Sequence, residues 1–487
     1  MEGIALIIGV DLIPDMFRTT LIVVDDLSGA IMVAATEKGM LRRDILSGER
    51  ELSPERISSP ESPVAAQMGA LTGHLRLSRQ AAERSRRMDA ERFAPTASNS
   101  LAEAYRDFPA TERWTYLDVA ARCVFPRCVR EAMDKHLDHR MLDGGNKPKF
   151  FELIEETRGR FATLVHADPD EITFTKNVSD GLNMVATGLD WRPGDNVILC
   201  PDLEHPNNIY PWLNLRRLGV EVRAVPPRAG AISVEDLLAR ADARTRVITV
   251  SSVTFAPGFR TDLDSLGRAC RERGIMFVVD AAQSVGVLVT DVRRSCIDAL
   301  SASTQKGLLG LYGMGFLYCR REWAERMQPV YLARFGVDVG EAHEASMGEF
   351  EFRLRPAARR FDLGNYNFLA AAAANASIQY LLEWGPAAIE TYVVGLAHTL
   401  ARGILDLGLP VCGGAPRPHL AHIVTVGEIG GGGHDSTDDP RFGALYKYLV
   451  ENRVKLSIRR GALRFSLHVY NTASDVERVL DLVKRKW

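Results

Sequence analysis

Between residues 114 and 306 two rhythms of apolar and polar positions alternate. Short continuous apolar runs, each closed by a small or polar residue, are separated by stretches whose apolar residues recur every three to four positions, which is the pattern of strands alternating with amphipathic helices. The runs at 172–175, 196–200, 220–225, 246–250 and 275–279 read as strands, and 181–189, 210–218 and 263–273 as helices. Ahead of them WTYLDVA reads as a short strand. After Pro126 comes a helix with Val129, Met133 and Leu137 at helical spacing, then a second helix over 149–165. Strands apolar on both faces and joined by helices predict an α/β fold, a largely parallel sheet covered by helices on both sides.

Near Arg355 the texture changes. PAARRFDLGNYN reads as a loop, and LAAAAANASIQYLLEWG as a long helix of high intrinsic propensity. A strand at 422–426, a glycine run at 430–433, a helix over 442–452, a strand pair around Leu456 and Leu463, and a final helix from Ser474 complete a smaller α+β unit. The expected organisation is a large domain over 101–355 with an N-terminal arm, and a small C-terminal domain over 356–487. Residues 1–100 differ from both. A hairpin-like apolar stretch (4–35), a linker rich in Ser, Pro and charge, and an arginine-rich run (76–92) suggest a poorly ordered extension.

Composition narrows the function. The chain has 487 residues, with 60 basic against 62 acidic side chains and a net charge of -2, so neither nucleic acid nor a membrane surface is expected as partner. The N-terminus carries Glu2, Asp11, Asp15 and Arg18 within its apolar stretch, which suits neither a signal peptide nor a membrane helix. Seven cysteines, odd in number and without a CxxC pair, suggest reduced thiols in the cytoplasm. Cys123 and Cys128 have no Cys or His neighbours that would complete a metal site, and none is expected. A small-molecule enzyme fits best.

Candidate chemistry centres on 275–306. One apolar run ends in Asp280; a second, through Ile297, Ala299 and Leu300, leads to Ser303, Thr304, Gln305 and Lys306. If these are parallel neighbours, Asp280 and Lys306 emerge together at the carboxyl edge of the sheet, where open α/β folds bind ligands. An amine and a carboxylate in one pocket suit pyridoxal phosphate, the amine forming a Schiff base with the aldehyde and the carboxylate keeping the pyridine nitrogen protonated. Gln283 can reach the ring's phenolic oxygen. In TKNVSDG, between a strand and a helix, free backbone N–H groups and the Ser179 hydroxyl can hold a phosphate. His205 and Asn208, in PDLEHPNNIYPW, follow another strand end, where an imidazole can lie on an aromatic ring and Asn208 is a candidate to bind substrate. Thr254 or Phe255 in SSVTFAPGFRTDL can touch the ring, and Arg464 in GALRFSLHVYNT can grip a substrate carboxylate bidentately. Each residue alone has an ordinary structural explanation; their number makes the case.

Eight segments, YLDVA, TFTKNVSDGLNMVATGL, EHPNNIYPW, SSVTFAPGFRTDL, VVDAAQSVG, SASTQKGLLG, RRFDLGNYN and LRFSLHVYNT, follow one another as in the class V aminotransferase family. The chain resembles this fold-type I group of pyridoxal-phosphate enzymes, which includes cysteine desulfurases, isopenicillin N epimerase-like enzymes and carbon–sulfur lyases, from about Tyr105 to Trp487. The resemblance implies a seven-stranded type of sheet, Lys306 as the Schiff-base lysine, Asp280 on the pyridinium, Gln283 on the ring oxygen and His205 stacked on the ring. It implies a phosphate site of Val178, Ser179, Ser303 and Gln305, and Arg464 as the carboxylate anchor. It also implies a homodimer in which the loop at 364–367, with Asn365, reaches the neighbouring subunit's site.

Three departures qualify the resemblance. No cysteine stands in IRRGALRFS, where desulfurases place their nucleophile shortly before the anchoring arginine; Gln305 stands where the family has His, and Asn365 where it has Thr. The expected reaction is therefore β-elimination from a cysteine-type L-amino acid in specialised metabolism, with transamination, decarboxylative or oxidative chemistry and epimerisation as alternatives, and a noncatalytic module of the same fold as the less favoured reading from another class.

Overall fold

A computed structural model describes residues 100–338 and 352–487. The expectations for 1–99 and for most of a substrate loop expected at 331–347 lie outside the described residues.

From the start of the described chain, β1 (Thr115–Tyr116) precedes two long helices, α1 (Arg127–Asp143) and α2 (Lys147–Val165). Then comes the alternation that the apolar rhythm predicts: β2 (Ile172–Thr175), α3 (Val178–Gly188), β3 (Asn196–Leu199), β4 (Glu221–Ala224), β5 (Thr245–Ser251), α4 (Leu263–Glu272), β6 (Met276–Asp280), β7 (Ala299–Ser303) and β8 (Gly315–Cys319). These strands form one seven-stranded sheet in the order β2-β8-β7-β6-β5-β3-β4. All run the same way except β8, which is antiparallel to both its neighbours. Every residue of β3, β6, β7 and β8 is buried, as a sheet with helices on both faces requires. β8 is a buried strand that the sequence analysis does not anticipate, although GFLYC is a continuous apolar run like the others.

The chain continues through α5 (Phe368–Trp384), α6 (Pro386–Asp406), β9 (Ile423–Val426), α7 (Pro440–Glu451), β10 (Val454–Lys455), β11 (Ser457–Arg459), β12 (Ala462–Ser466) and α8 (Ala473–Lys486). The small sheet is antiparallel, in the order β9-β12-β11. In α5 the alanines at 370–374 are all buried, and their small side chains let the helix lie close against α1 and α2. α6 was not anticipated, since Trp384-Gly385-Pro386 marks only a stop; Gly385 ends α5 and Pro386 starts α6 at its first turn. α8 is held by a capping box between Thr472 and Asp475 and buries Val476, Val479, Leu482 and Val483. β10 pairs in parallel with β1, so chain segments far apart in sequence meet below the small sheet. Among the described residues no helix is long and apolar enough to cross a membrane.

Candidate active site

The direction of the strands decides where the candidate residues go. β2, β3, β5, β6 and β7 all end at one edge of the sheet, and the segments after them carry Ser179, His205, Phe255, Asp280 and Lys306.

α3 begins at Val178, earlier than its apolar pattern suggests, so Val178 and Ser179 occupy its first turn. Asn177 caps it by accepting from the Asp180 N–H at 3.0 Å, and the Lys176 N–H bonds the Asp180 carboxylate at 2.9 Å. The Val178 and Ser179 N–H groups have no acceptor among the described residues, which is the arrangement that holds an anion. Gly181 lets this turn lie directly on β7: a Cβ there would sit 2.4 Å from the Ser301 Oγ. The Ser301 hydroxyl in turn donates to the Val178 carbonyl at 3.0 Å. β7 ends in buried Ser303, and the half-buried Gln305 side chain makes no hydrogen bond among the described residues.

Lys306 sits in a clamped stretch of backbone. The Gln305 carbonyl accepts from the Cys123 N–H at 2.8 Å, the Lys306 carbonyl from the Leu309 N–H at 3.0 Å, and the Gly307 carbonyl from the His468 Nε2 at 2.9 Å. Gly286 is needed behind it, since a Cβ there would come within 2.2 Å of the Gly307 carbonyl oxygen. Burial lowers the Lys306 ammonium to about 8; Asp280 opposes this, while Arg464 and Arg459 add to it. Asp280 is buried at the end of β6, where its Oδ1 accepts from the Ala282 N–H at 2.9 Å. Its carboxyl is raised by burial, against the pull of that N–H and of Lys306.

Gln283 is buried, its Nε2 donates to the Ala120 carbonyl at 3.0 Å, and its Oε1 is buried without a partner. His205 Nδ1 accepts from the Asn207 N–H at 3.2 Å, so the neutral ring carries its proton on Nε2. The ring stands edge-on to Phe255, with centroids 5.4 Å apart and planes at 85°. Burial first, then Lys306, lowers the imidazole to about 4, so it is neutral at physiological pH.

Arg464 lies on β12 with 1 % of its surface exposed. Nε donates to the Ser457 Oγ at 3.2 Å and Nη1 to the Phe255 carbonyl at 2.8 Å. Burial, then Arg459, lowers the guanidinium to about 9; Asp118 and Asp435 oppose. Nη2 has no acceptor among the described residues. The guanidinium is thus aimed by two elements and still has a donor to give.

Two residues fall elsewhere. Asn208 is fully buried and its side chain is engaged within the chain: its Oδ1 accepts from the Trp212 Nε1 at 3.0 Å and the Thr249 Oγ1 at 2.8 Å, and its Nδ2 donates to Glu204 at 2.9 Å. A polar side chain two turns into a loop gives no sign in sequence of which way it points. Asn365 is exposed, with φ 46°, and its side chain makes no hydrogen bond within the described chain. Its loop is moored by buried Asp362, which pairs with Arg158 at 2.8 Å and accepts from Thr173 at 2.7 Å.

Sequence reasoning missed Asp118, Glu204 and His468. Asp118 is half-buried near Arg464, with its Oδ1 enclosed and unpartnered. For two of them the signal was a neighbour already suspected: Glu204 precedes His205, and His468 lies four residues after Arg464; Asp118 had none. The donor set fits pyridoxal phosphate: an amine and a buried acid on adjacent strands, an unpartnered amide oxygen at Gln283, and bare N–H groups at the head of α3.

The sequence model described as Aminotransferase class-V matches residues 115–479. A probable cysteine desulfurase of Methanothermobacter thermautotrophicus is 30% identical over 76% of this chain and 94% of the relative. An uncharacterized aminotransferase of Bacillus subtilis is 27% identical over 79% of this chain and 98% of its own. Among solved structures, the apo cysteine desulfurase of Thermococcus onnurineus NA1 superposes with a TM-score of 0.70 at 26% identity, covering 80% of this chain and 99% of that one. Taken with the geometry, these place the chain in the class V aminotransferase family, as a pyridoxal-phosphate-dependent enzyme with the α/β fold of that group.

Proposed function

We propose that this chain is a carbon–sulfur lyase that releases the sulfur substituent of a cysteine-type L-amino acid by β-elimination. The observation that carries the reading is an amine, Lys306, and a buried arginine, Arg464, close enough to interact and without a reactive thiol beside them. Bound pyridoxal phosphate supplies the electron sink. Arg464 would hold the α-carboxylate, the Lys306 Nζ would take the proton from Cα, and neutral His205 would cover the ring. Relatives named as cysteine desulfurases support cysteine chemistry.

Persulfide formation on the protein needs a thiolate, and the cysteines present argue against one. Cys123, whose N–H bonds the Gln305 carbonyl, turns its thiol to the Gly310 carbonyl at 3.3 Å and is pushed up to about 12 by burial. Cys412 bonds the Gly427 carbonyl at 3.2 Å and is pushed up to about 11. Cys123→Ser and Cys412→Ser, singly or together, are therefore expected to keep turnover within about twofold of the parent, in the range of a mutation that touches no reacting group. A loss of 100-fold or more would restore the desulfurase reading.

The decisive assay incubates the enzyme with S-substituted cysteines, with and without an added keto acid. Thiol and pyruvate in equal amounts support the lyase. Amine appearing on the keto acid would favour transamination, the reading suggested by relatives named as aminotransferases. Lys306 adds a pH signature. The neutral amine attacks the cofactor aldehyde, and an amine lowered to about 8 is half neutral at that pH. Cofactor uptake by apoprotein is expected to speed up as pH rises toward 8 and to level off above it; a rate still climbing at pH 10 contradicts the lowered amine.

We further propose a homodimer acting in the cytoplasm, in specialised metabolism. Exposed Tyr312, Tyr331, Leu332, Phe352 and Leu363 supply apolar surface around the Asn365 loop for a second copy to cover, and sedimentation velocity at micromolar protein tests it. Gln305 and Asn365 at two family positions support a specialised substrate.

A further inference from the structure

Glu204 is the one buried acid at the cofactor edge that the reading above leaves without work. It lies between β3 and His205 and is 2 % exposed. Its Oε1 accepts from the Ser251 N–H at 2.6 Å, and its Oε2 accepts from the Asn208 Nδ2 at 2.9 Å and from the Ser251 hydroxyl. The orientation of Asn208 is fixed, because the Trp212 indole N–H can only donate and takes the Asn208 Oδ1. The amide must then present its NH2 to Glu204. Burial, and to a lesser degree Asp280, raise the carboxyl to about 7, while the three donors that converge on it, from Ser251 and Asn208, favour the ionised form, so the charge is present from neutral pH upward.

Ser251 is also the register partner of Asp280 across β5 and β6. Glu204 therefore grips the strand residue beside the acid that would face the ring nitrogen. The ionisable groups that face Glu204 are Asp280, from β6, and the Cys200 thiol, from the end of β3; those acting on Lys306 are Asp280, Arg464 and Arg459, with His205 alongside.

We propose that Glu204 is a positioning residue: a second buried carboxylate that fixes Ser251 behind Asp280 and adds negative charge to the ring-nitrogen end of the site, strengthening the protonated state there. The inference rests on pyridoxal phosphate being bound through Lys306. Asn208, Thr249 and Trp212 belong to the same device, holding the carboxylate from below. A structural acid alone would affect yield or melting; a charge at this place also shifts the ionisation of the bound chromophore.

The test uses purified holoenzyme of the parent, Glu204→Gln and Glu204→Asp. Borohydride reduction first confirms the cofactor on Lys306 in each; failure in the parent would overturn the cofactor reading, not this one. The pH midpoint of the visible absorbance change of the bound cofactor is then measured. Glu204→Gln is expected to lower that midpoint by about one unit, since removing a nearby negative charge disfavours the protonated linkage, and Glu204→Asp is expected to restore at least half of the shift. A midpoint in Glu204→Gln equal to the parent's overturns the proposal. If Glu204→Gln does not accumulate as holoenzyme, Glu204→Asp decides alone: a smaller downward shift supports the role, and an unchanged or raised midpoint overturns it.

Discussion

Replacing Lys306 by Ala is expected to give a protein that folds, melts near the parent and loses turnover by about 10,000-fold, the upper range for removing a positioned general base, while also losing the reducible cofactor link. The fold should survive because the clamp around position 306 grips backbone carbonyls, through the Cys123 and Leu309 N–H groups and the His468 imidazole, and Ala leaves all three in place. Removing a half-buried amine also relieves Arg464 and His205 of a neighbouring positive charge. The measurement is single-turnover rate together with mass spectrometry after borohydride. Activity within tenfold of the parent would mean that another group takes the proton, and the assignment of the base would fail.

Arg464→Gln is expected to lower kcat/KM by about 100- to 1,000-fold, most of it in KM. Charge-assisted hydrogen bonds to a carboxylate are each worth about 1.5–3 kcal/mol, and tenfold corresponds to about 1.4 kcal/mol. The carboxylate is held before and during the reaction, so the loss falls on binding more than on the chemical step. Arg464→Lys should recover little, because a point charge cannot reproduce the fork that reaches Ser457 and the Phe255 carbonyl while leaving Nη2 for substrate. A KM unchanged in Arg464→Gln would remove the residue from the substrate site. A second effect follows from Asp118: it loses a compensating charge while its Oδ1 stays enclosed and unpartnered, and since burial already raises that carboxyl, the loss of melting temperature relative to the parent should shrink as pH falls.

Much of this site was legible because its parts lie at strand ends. A fully apolar run such as MFVVD states both a buried parallel strand and, by its last residue, the edge on which Asp280 emerges. Lys306 followed by the same logic. What could not be read depends on contacts far apart in sequence. β8 is a core strand whose direction depends on its pairing with β2 and β7. Asn208 looked like a ligand-facing amide, and only the positions of Trp212 and Thr249 show that it is spent beneath the site. Glu204 was passed over because a charged residue on a loop ordinarily faces water; Ser251, on another strand, is what takes it inside.

The parallel pairing of β1 with β10 also bears on how the enzyme is assembled. The Ala120 N–H bonds the Ser466 Oγ at 2.9 Å, and the Asn471 amide donates to the Tyr116 carbonyl at 2.9 Å. The hairpin that carries Arg464 is thus stitched to the beginning of the described chain across more than three hundred residues. Contacts this distant close late, since the loop must be ordered before they repay its entropy. A nascent chain will complete the sheet edge bearing Asp280 and Lys306 before it has an anchor for a carboxylate. Cofactor capture can then precede substrate competence, and refolding followed by cofactor absorbance should run ahead of refolding followed by turnover.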